Sequence, residues 1–263
     1  MISFNNLGNL GRLANQMFQY ASLKGIARNR GYEFSIPPVN VFGKRDPMVN
    51  TDEMNIYKVF GLDKKNKVGL IPNQVLMERV HTFDRELFTN CPDNIDIFGY
   101  YQTHKYFEHI EDEIREDFTF VDDILNPCKE AFGSDEMVGL HIRRSDYLQK
   151  QDYHPLCTQE YYKEALSKFS DTIPVVIVSD DPAWCAKQEL FEPDRFLISE
   201  SNDNLVDMCI LSLCKYHIIA NSSFSWWGAW LANSEKVIAP KVWYGPAANI
   251  DESDIVPETW ERI

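Results

Sequence analysis

The sequence predicts an α/β protein organised on parallel sheet, and three observations carry that expectation. From residue 137 onward, short runs rich in Val, Ile and Leu alternate with segments of helical spacing. The runs are apolar at nearly every position, as strands buried on both faces must be, and such strands belong to parallel sheets covered by helices. Three of them pass directly into polar clusters: Arg143-Arg144-Ser145-Asp146, Ser179-Asp180-Asp181 and Asn221-Ser222-Ser223. In open parallel sheets, ligands bind beyond the carboxyl ends of the strands.

At the N-terminus, residues 2–4 read as a strand, and Gly8 and Gly11 mark a turn. Leu13, Met17, Tyr20 and Ala21 then recur at helical spacing over residues 14–24. Arg28 and Arg30 before Gly31 suit a helix C-terminus, and residues 33–36 read as a second strand. Residues 40–95 predict loops and small helices without a motif. Residues 97–102 read as a strand and 104–118 as a helix carrying Tyr106, Phe107, Ile110 and Ile114 on one face. Strands are then expected at 137–142, 174–178, 195–198, 216–220 and 236–239, with helices over 159–169, from 182 to about 190, over 204–214 and from 223 onward.

The chain has 263 residues, 44% hydrophobic, enough for one or two packed domains. Its formal net charge of −14 disfavours nucleic acid or anionic lipid as a bulk partner. A small anion remains compatible with it, because a few local arginines suffice. Six dispersed cysteines without a C-x-x-C pair read as reduced core residues, not as a disulfide or zinc framework. No apolar run reaches membrane-spanning length. The expectation is a soluble, cytoplasmic protein, with peripheral membrane association left open.

Two guanidiniums at the mouth of an apolar strand are costly unless an anion or a carboxylate meets them, and the rigid fork of Arg suits phosphate. Arg143 and Arg144 therefore read either as a phosphate-binding strand end or as surface arginines paired with Asp146 and another acid. Arginines for a diphosphate, an acid for a guanine edge or ribose, and serines at a helix start together fit a nucleotide. The glycine spacing matches neither the dinucleotide fingerprint nor the P-loop. Asn15 and Gln16, in the first turn of the first helix, read from local pattern as an ordinary helix start. Asp-x-Asp is absent from the chain, which argues against a divalent ion held by carboxylates at a diphosphate.

Three stretches, residues 11–21 (GRLANQMFQYA), 141–147 (HIRRSDY) and 221–231 (NSSFSWWGAWL), closely resemble, in order and across nearly the whole chain, the motifs of the α-1,2-fucosyltransferases of glycosyltransferase family 11. The His-x-Arg-Arg-x-Asp pattern is also similar to one in α-1,6- and protein O-fucosyltransferases. The resemblance implies a GT-B-like fold of two Rossmann-like domains facing across a cleft, with an acceptor-side domain at 1–132 and a GDP-fucose-binding domain at 133–263. It implies inverting transfer of L-fucose from GDP-β-L-fucose to a galactose 2-hydroxyl, with no metal and no cofactor beyond the donor.

By the same resemblance Arg143 neutralises the departing β-phosphate and His141 lies near the nucleotide. Asp180 or Asp181 contacts guanine or ribose, and Ser222 and Ser223 contact the phosphates, flanked by Asn221 and Phe224. Asn15 and Gln16, next to Arg12, face the reacting centre. Arg144 braces its loop with Asp146 or another acid. Asp152 and His154 are the candidates for a general base, if the reaction uses one. Ala14 stands where family members usually carry glycine, which is harmless if the position is helical. The alternatives are another GDP-sugar or fucosyl linkage, or a non-catalytic protein that binds a GDP-sugar or glycan.

Overall fold

The computed structural model describes residues 1–38, 55–69, 74–132, 136–201 and 203–263. They form two compact units: residues 1–121 with 251–255, and residues 122–250 with 256–263.

The first unit contains β1 (Ile2–Ser3), α1 (Leu13–Arg30), β2 (Phe34–Ser35), α2 (Asn55–Phe60), α3 (Leu62–Lys65), β3 (Gln74–Met77), α4 (Arg85–Asn90), β4 (Ile95–Phe98) and α5 (Glu111–Asp117). Its sheet is parallel, in the order β2-β1-β4-β3. Helix α1 is buried from Leu13 to Ala27 except at Asn15. Its buried cation, Lys24, reaches Asp117 at 2.6 Å and Glu113 at 3.2 Å, as a desolvated charge requires. The helix ends at Gly31, in the left-handed region at φ 67°, where glycine carries no Cβ penalty.

The second unit contains α6 (Asp122–Phe132), β5 (Val138–Ile142), α7 (Gln159–Leu166), β6 (Val175–Ser179), α8 (Pro182–Cys185), β7 (Phe196–Ile198), α9 (Asn204–Leu213), β8 (Tyr216–Ile218), α10 (Ser223–Leu231), β9 (Lys236–Ala239) and β10 (Glu261–Arg262). All neighbours are parallel, in the order β10-β9-β8-β5-β6-β7. Val138, Leu140, Ile142, Val175, Ile177, Ile218 and Ile238 form one core with Tyr162 and Leu166 of α7. All six cysteines are free thiols. Among the described residues no helix is long and apolar enough to cross a membrane, so membrane association gains no support from a spanning segment.

Several expectations are corrected. The strand expected at 97–102 ends at Phe98, because Glu78 takes the Tyr100 and Tyr101 N–H groups at 2.8 Å each and withdraws them from the ladder. The helix expected at 104–118 divides into two 3₁₀ turns, 104–106 and 108–110, and α5; Phe107 separates the turns, and Ile110, at φ −133°, ends the second one and breaks the backbone before α5. The helix expected to reach about 190 stops at Cys185. Within 40–95, β3 was not anticipated, and residues 40–54 and 70–73 lie outside the described residues. Helix α6 was not anticipated either. It packs against α9 and so belongs to the second unit, which divides the chain after Val121 rather than after 132. Asp254 belongs with the first unit, holding Lys105 Nζ at 2.5 Å and Phe83 N–H at 2.8 Å.

Two outcomes follow from this packing. A Cβ on Gly25, within α1, would lie 2.0 Å from the Tyr106 carbonyl oxygen. Gly25→Ala, which stabilises an open helix by up to about 1 kcal/mol, should here be net destabilising by about 1–3 kcal/mol, read from urea denaturation. His217 is fully buried on β8, its Nε2 donating to Leu211 O at 2.7 Å, and burial pushes its pKa down to about 4. The unfolded imidazole binds its proton near pH 6.5, so the contribution of neutral His217 is complete above that pH and is lost as pH falls toward about 4. His217→Gln should flatten the pH dependence of unfolding free energy over that window, whatever its effect at neutral pH.

Candidate active site

In the second unit the chain runs from β5 outward to β6 and β7, then returns to the other side of β5 for β8, β9 and β10. The direction of progress reverses between β5 and β8, the position at which open α/β sheets leave a crevice beyond their carboxyl ends. His141 is the penultimate residue of β5, and Arg143 and Arg144 follow its end. Pairing with β8 runs to Leu140↔Ile218, so the chain after Ile218 carries Asn221, Ser222 and Ser223 to the same end of the sheet.

Arg143 is largely enclosed, its side chain 18% exposed. One terminal nitrogen lies 2.8 Å from Asp180 Oδ2, the other bonds Asp146, and the guanidinium stands 5.3 Å from the centre of the Tyr147 ring. Arg144 has a different set of partners. Its Nε reaches Asp181 Oδ2 at 3.2 Å, its guanidinium stacks 3.9 Å from the Trp184 ring centre, and its N–H donates to Asp180 Oδ1 at 2.8 Å. The acid that braces Arg144 is therefore Asp181, and Asp146 serves Arg143. Asp181 also caps α8 by accepting from Trp184 N–H at 3.1 Å. Asp180 and Asp181, expected at guanine or ribose, both hold arginines in this structure.

His141 is buried, and burial, with Arg143 as a second cause, pushes its pKa down to about 3. It is a neutral imidazole at physiological pH. Its ring lies 5.4 Å from that of Phe224, and its Nδ1 is buried without a hydrogen-bond partner. An unsatisfied polar atom of this kind calls for an explanation, and a hydrogen-bonding group on a ligand supplies one. Ser222 caps α10, its hydroxyl accepting from Phe224 N–H at 3.3 Å, and Ser223 is the first helical residue. The dipole and N–H groups of such a terminus favour an anion.

Asn221 is buried and its side chain is committed within the protein. Its Nδ2 donates to Pro155 O and Trp243 O, both at 2.9 Å, and its Oδ1 accepts from Cys157 Sγ at 3.6 Å. The backbone carbonyl of the same residue accepts from the Tyr147 hydroxyl at 3.1 Å. One residue thus ties together the loops after β5, β8 and β9.

Of the two base candidates, Asp152 is exposed, and its backbone carbonyl accepts from Ala247 N–H at 3.0 Å. His154 is stacked on Tyr147 at 4.6 Å and meets Tyr153 and Tyr244 edgewise or tilted. Burial lowers its pKa, and its Nδ1 has no hydrogen-bond partner. Tyr147 and Trp184 support the arginines without having been singled out from sequence. Tyr147 lay inside a recognised motif, whereas nothing local marks Trp184.

In the first unit β1 and β4 lie side by side, and the steps from β1 to β2 and from β3 to β4 run the same way across the sheet. There the loop after β1 leads through Gly11, at φ 79°, into α1. Arg12 is exposed at the helix start; Ala14 is helical and buried, so a methyl is tolerated there. Asn15 Oδ1 accepts from Gln102 Nε2 at 2.7 Å. Gln16 is fully buried, its Oε1 accepting from Ile56 N–H at 3.3 Å, while its Nε2 lacks a partner. Arg12, Asn15 and Gln16 therefore belong to one structural unit and His141 through Phe224 to the other.

Comparison with known proteins agrees with this organisation. The Glycosyl transferase family 11 description matches residues 2–263. An alpha-1,2-colitosyltransferase of Escherichia coli is 32% identical, with 96% of each chain covered. A galactoside 2-alpha-L-fucosyltransferase of Mus musculus, Sec1, is 26% identical over 86% of this chain and 64% of its own length. Among solved structures, the fucosyltransferase NodZ from Bradyrhizobium aligns with a TM-score of 0.58 at 14% identity, covering 90% of this chain and 94% of that one. POFUT1 in complex with GDP-fucose aligns with a TM-score of 0.57 at 10% identity, covering 100% and 97%. At such identities these structures speak for the fold alone, which is that of the GT-B-type fucosyltransferases. With its three motifs in order, two parallel sheets and a match over residues 2–263, the chain belongs to glycosyltransferase family 11.

Proposed function

We propose that the protein transfers L-fucose from GDP-β-L-fucose to the 2-hydroxyl of a terminal galactose, with inversion, without a metal ion and in the cytoplasm. The observation that carries this reading is the enclosed Arg143, held by Asp146 and Asp180 at the reversal point of the second sheet. Two carboxylates fix its fork before any ligand arrives. A diphosphate entering the site replaces or shares them, and charge developing on the leaving GDP meets a preorganised cation. The α10 N-terminus, with Ser222 and Ser223, adds N–H and hydroxyl groups for phosphate. Neutral His141 offers a hydrogen-bonding nitrogen rather than a charge. His154, kept neutral by burial, is in the protonation state of a base. The absence of Asp-x-Asp supports a mechanism in which arginines rather than a metal ion meet the phosphate charge.

A second donor has specific support. The colitosyltransferase relative covers both chains almost completely, and colitose is fucose without its 3-hydroxyl. A site that hydrogen-bonds that hydroxyl discriminates strongly against the deoxy sugar, whereas an apolar wall there discriminates weakly. Competition between GDP-fucose and GDP-colitose on lactose or N-acetyllactosamine, with linkage assigned by NMR, separates the two. The expected outcome is preferential fucosyl transfer to the galactose 2-hydroxyl, unchanged by EDTA. Preferential colitosyl transfer would replace the donor in this reading, and binding without turnover would make the chain a glycan- or GDP-sugar-binding protein.

Arg143→Ala should lower kcat/KM by on the order of 10²–10³, the usual loss on removing one charge-stabilising group. Arg143→Lys should recover little, since a point ammonium cannot span Asp146, Asp180 and a phosphate as a fork does. Transfer at near wild-type rate by a folded Arg143→Ala variant would end the assignment.

A further inference from the structure

Tyr147 touches both parts of the site proposed for the diphosphate. It lies in the short 3₁₀ turn Ser145–Gln149 after β5, and its side chain is buried. The Arg143 guanidinium stands 5.3 Å from its ring centre, within the range of a cation–π contact. His154 stacks on the same ring, with centroids 4.6 Å apart and planes 10° apart, so the ring is held in its plane. At the far end of the ring the hydroxyl donates to Asn221 O at 3.1 Å. Burial pushes the phenol pKa well above its ordinary value, with the Arg143 charge opposing. The hydroxyl therefore keeps its proton and remains a donor at physiological pH.

Asn221 passes this hold on to α10. Its amide is already anchored on Pro155 O and Trp243 O, so the bond from Tyr147 fixes the backbone of a residue whose side chain is also fixed. Ser222, the next residue, is the N-cap of α10, its hydroxyl accepting from Phe224 N–H and its carbonyl from Trp226 N–H at 3.1 Å. One side chain therefore spans from the Arg143 cation to the residue before the helix start. Tyrosine has only two side-chain torsions, so that span has a set length. We propose that Tyr147 is a positioning residue for sugar transfer, holding Arg143 and the N-terminus of α10 at one separation so that both meet the same departing diphosphate. This role rests on the transferase reading above. Phenylalanine would keep the ring beside Arg143 and release Asn221, whereas leucine would lose both contacts, so the two links are separable.

The test compares wild type, Tyr147→Phe and Tyr147→Leu on the full chain, each also combined with Arg143→Ala. GDP release from GDP-fucose with lactose, calorimetric GDP binding and thermal unfolding are measured for every variant. Tyr147→Phe should lower kcat and GDP affinity about tenfold, the scale of one lost hydrogen bond, with acceptor KM little changed. Tyr147→Leu should lower kcat about a hundredfold, the scale of a misplaced reacting geometry. Once Arg143 is alanine the ring has no cation to place, so Tyr147→Leu should then bind GDP no more weakly than Tyr147→Phe. A tyrosine that only stabilises the fold would lower the thermal midpoint and leave a Phe-to-Leu difference that is the same with and without Arg143. That result overturns the proposal, as does a folded Tyr147→Phe variant with wild-type kcat and GDP affinity, which decides the matter even where Tyr147→Leu fails to fold. Absence of transfer by wild type with either GDP-fucose or GDP-colitose overturns the transferase reading itself and takes the proposal with it, by a result that needs no Tyr147 variant.

Discussion

A guanidinium at the mouth of a buried strand has to be neutralised, and much of what surrounds β5 answers that requirement. Arg143 and Arg144 follow Ile142 directly, and each is met by carboxylates from its own loop or from the strand beside it. Parallel pairing makes this possible. Ile142 is in register with Ser179, so Asp180 and Asp181 leave their strand where the arginines leave theirs. The division of labour between the two arginines is then geometric. Arg143 stays between Asp146 and Asp180 above Tyr147, and Arg144 turns away onto Asp181 and Trp184. A cation already surrounded by acceptors loses little orientational freedom when an anion arrives, which is the condition for stabilising charge that develops during a reaction.

The same economy of polar groups holds the loops. Asn221 uses both ends of its amide on three partners from two segments, the loops after β5 and β9. In the first unit, Glu78 gathers two successive N–H groups that would otherwise continue a strand. In both units these loops follow the ends of parallel strands, and in both a small number of enclosed hydrogen bonds replaces the regular ladder. His141 departs from this satisfaction of polar groups by keeping a buried nitrogen without a partner, and it does so beside Arg143, where a donor sugar nucleotide is proposed to bind.

Much of the fold was legible in the sequence, because its strands are apolar on both faces and its helices periodic. The second sheet was legible nearly strand by strand, and α1 with its Gly31 terminus was plain from spacing and end residues. The departures have local causes. Residues 97–102 are rich in Phe and Tyr, as strands are, but a carboxylate from outside the segment captures two of its N–H groups. Residues 104–118 carry apolar side chains at helical spacing, yet the backbone at Phe107 and Ile110 leaves helical geometry while three of those side chains, Tyr106, Phe107 and Ile114, stay in the core. Strand β3 keeps exposed Val75 and Met77 at a sheet edge, so it carries no pattern of burial.

By itself, the sequence determined the fold class, the family and the three clusters at strand ends, since burial pattern and motif order are properties of the linear chain. Tertiary structure alone decided which acid serves which arginine, that Asn221 is committed to its neighbouring loops, and that Gln102 meets Asn15 across 87 residues of sequence. The physical reason is the reach of hydrogen bonds and ion pairs. Both act over about 3 Å, so their partners are chosen by strand register and loop path, and neither quantity is written in the spacing of residues along the chain.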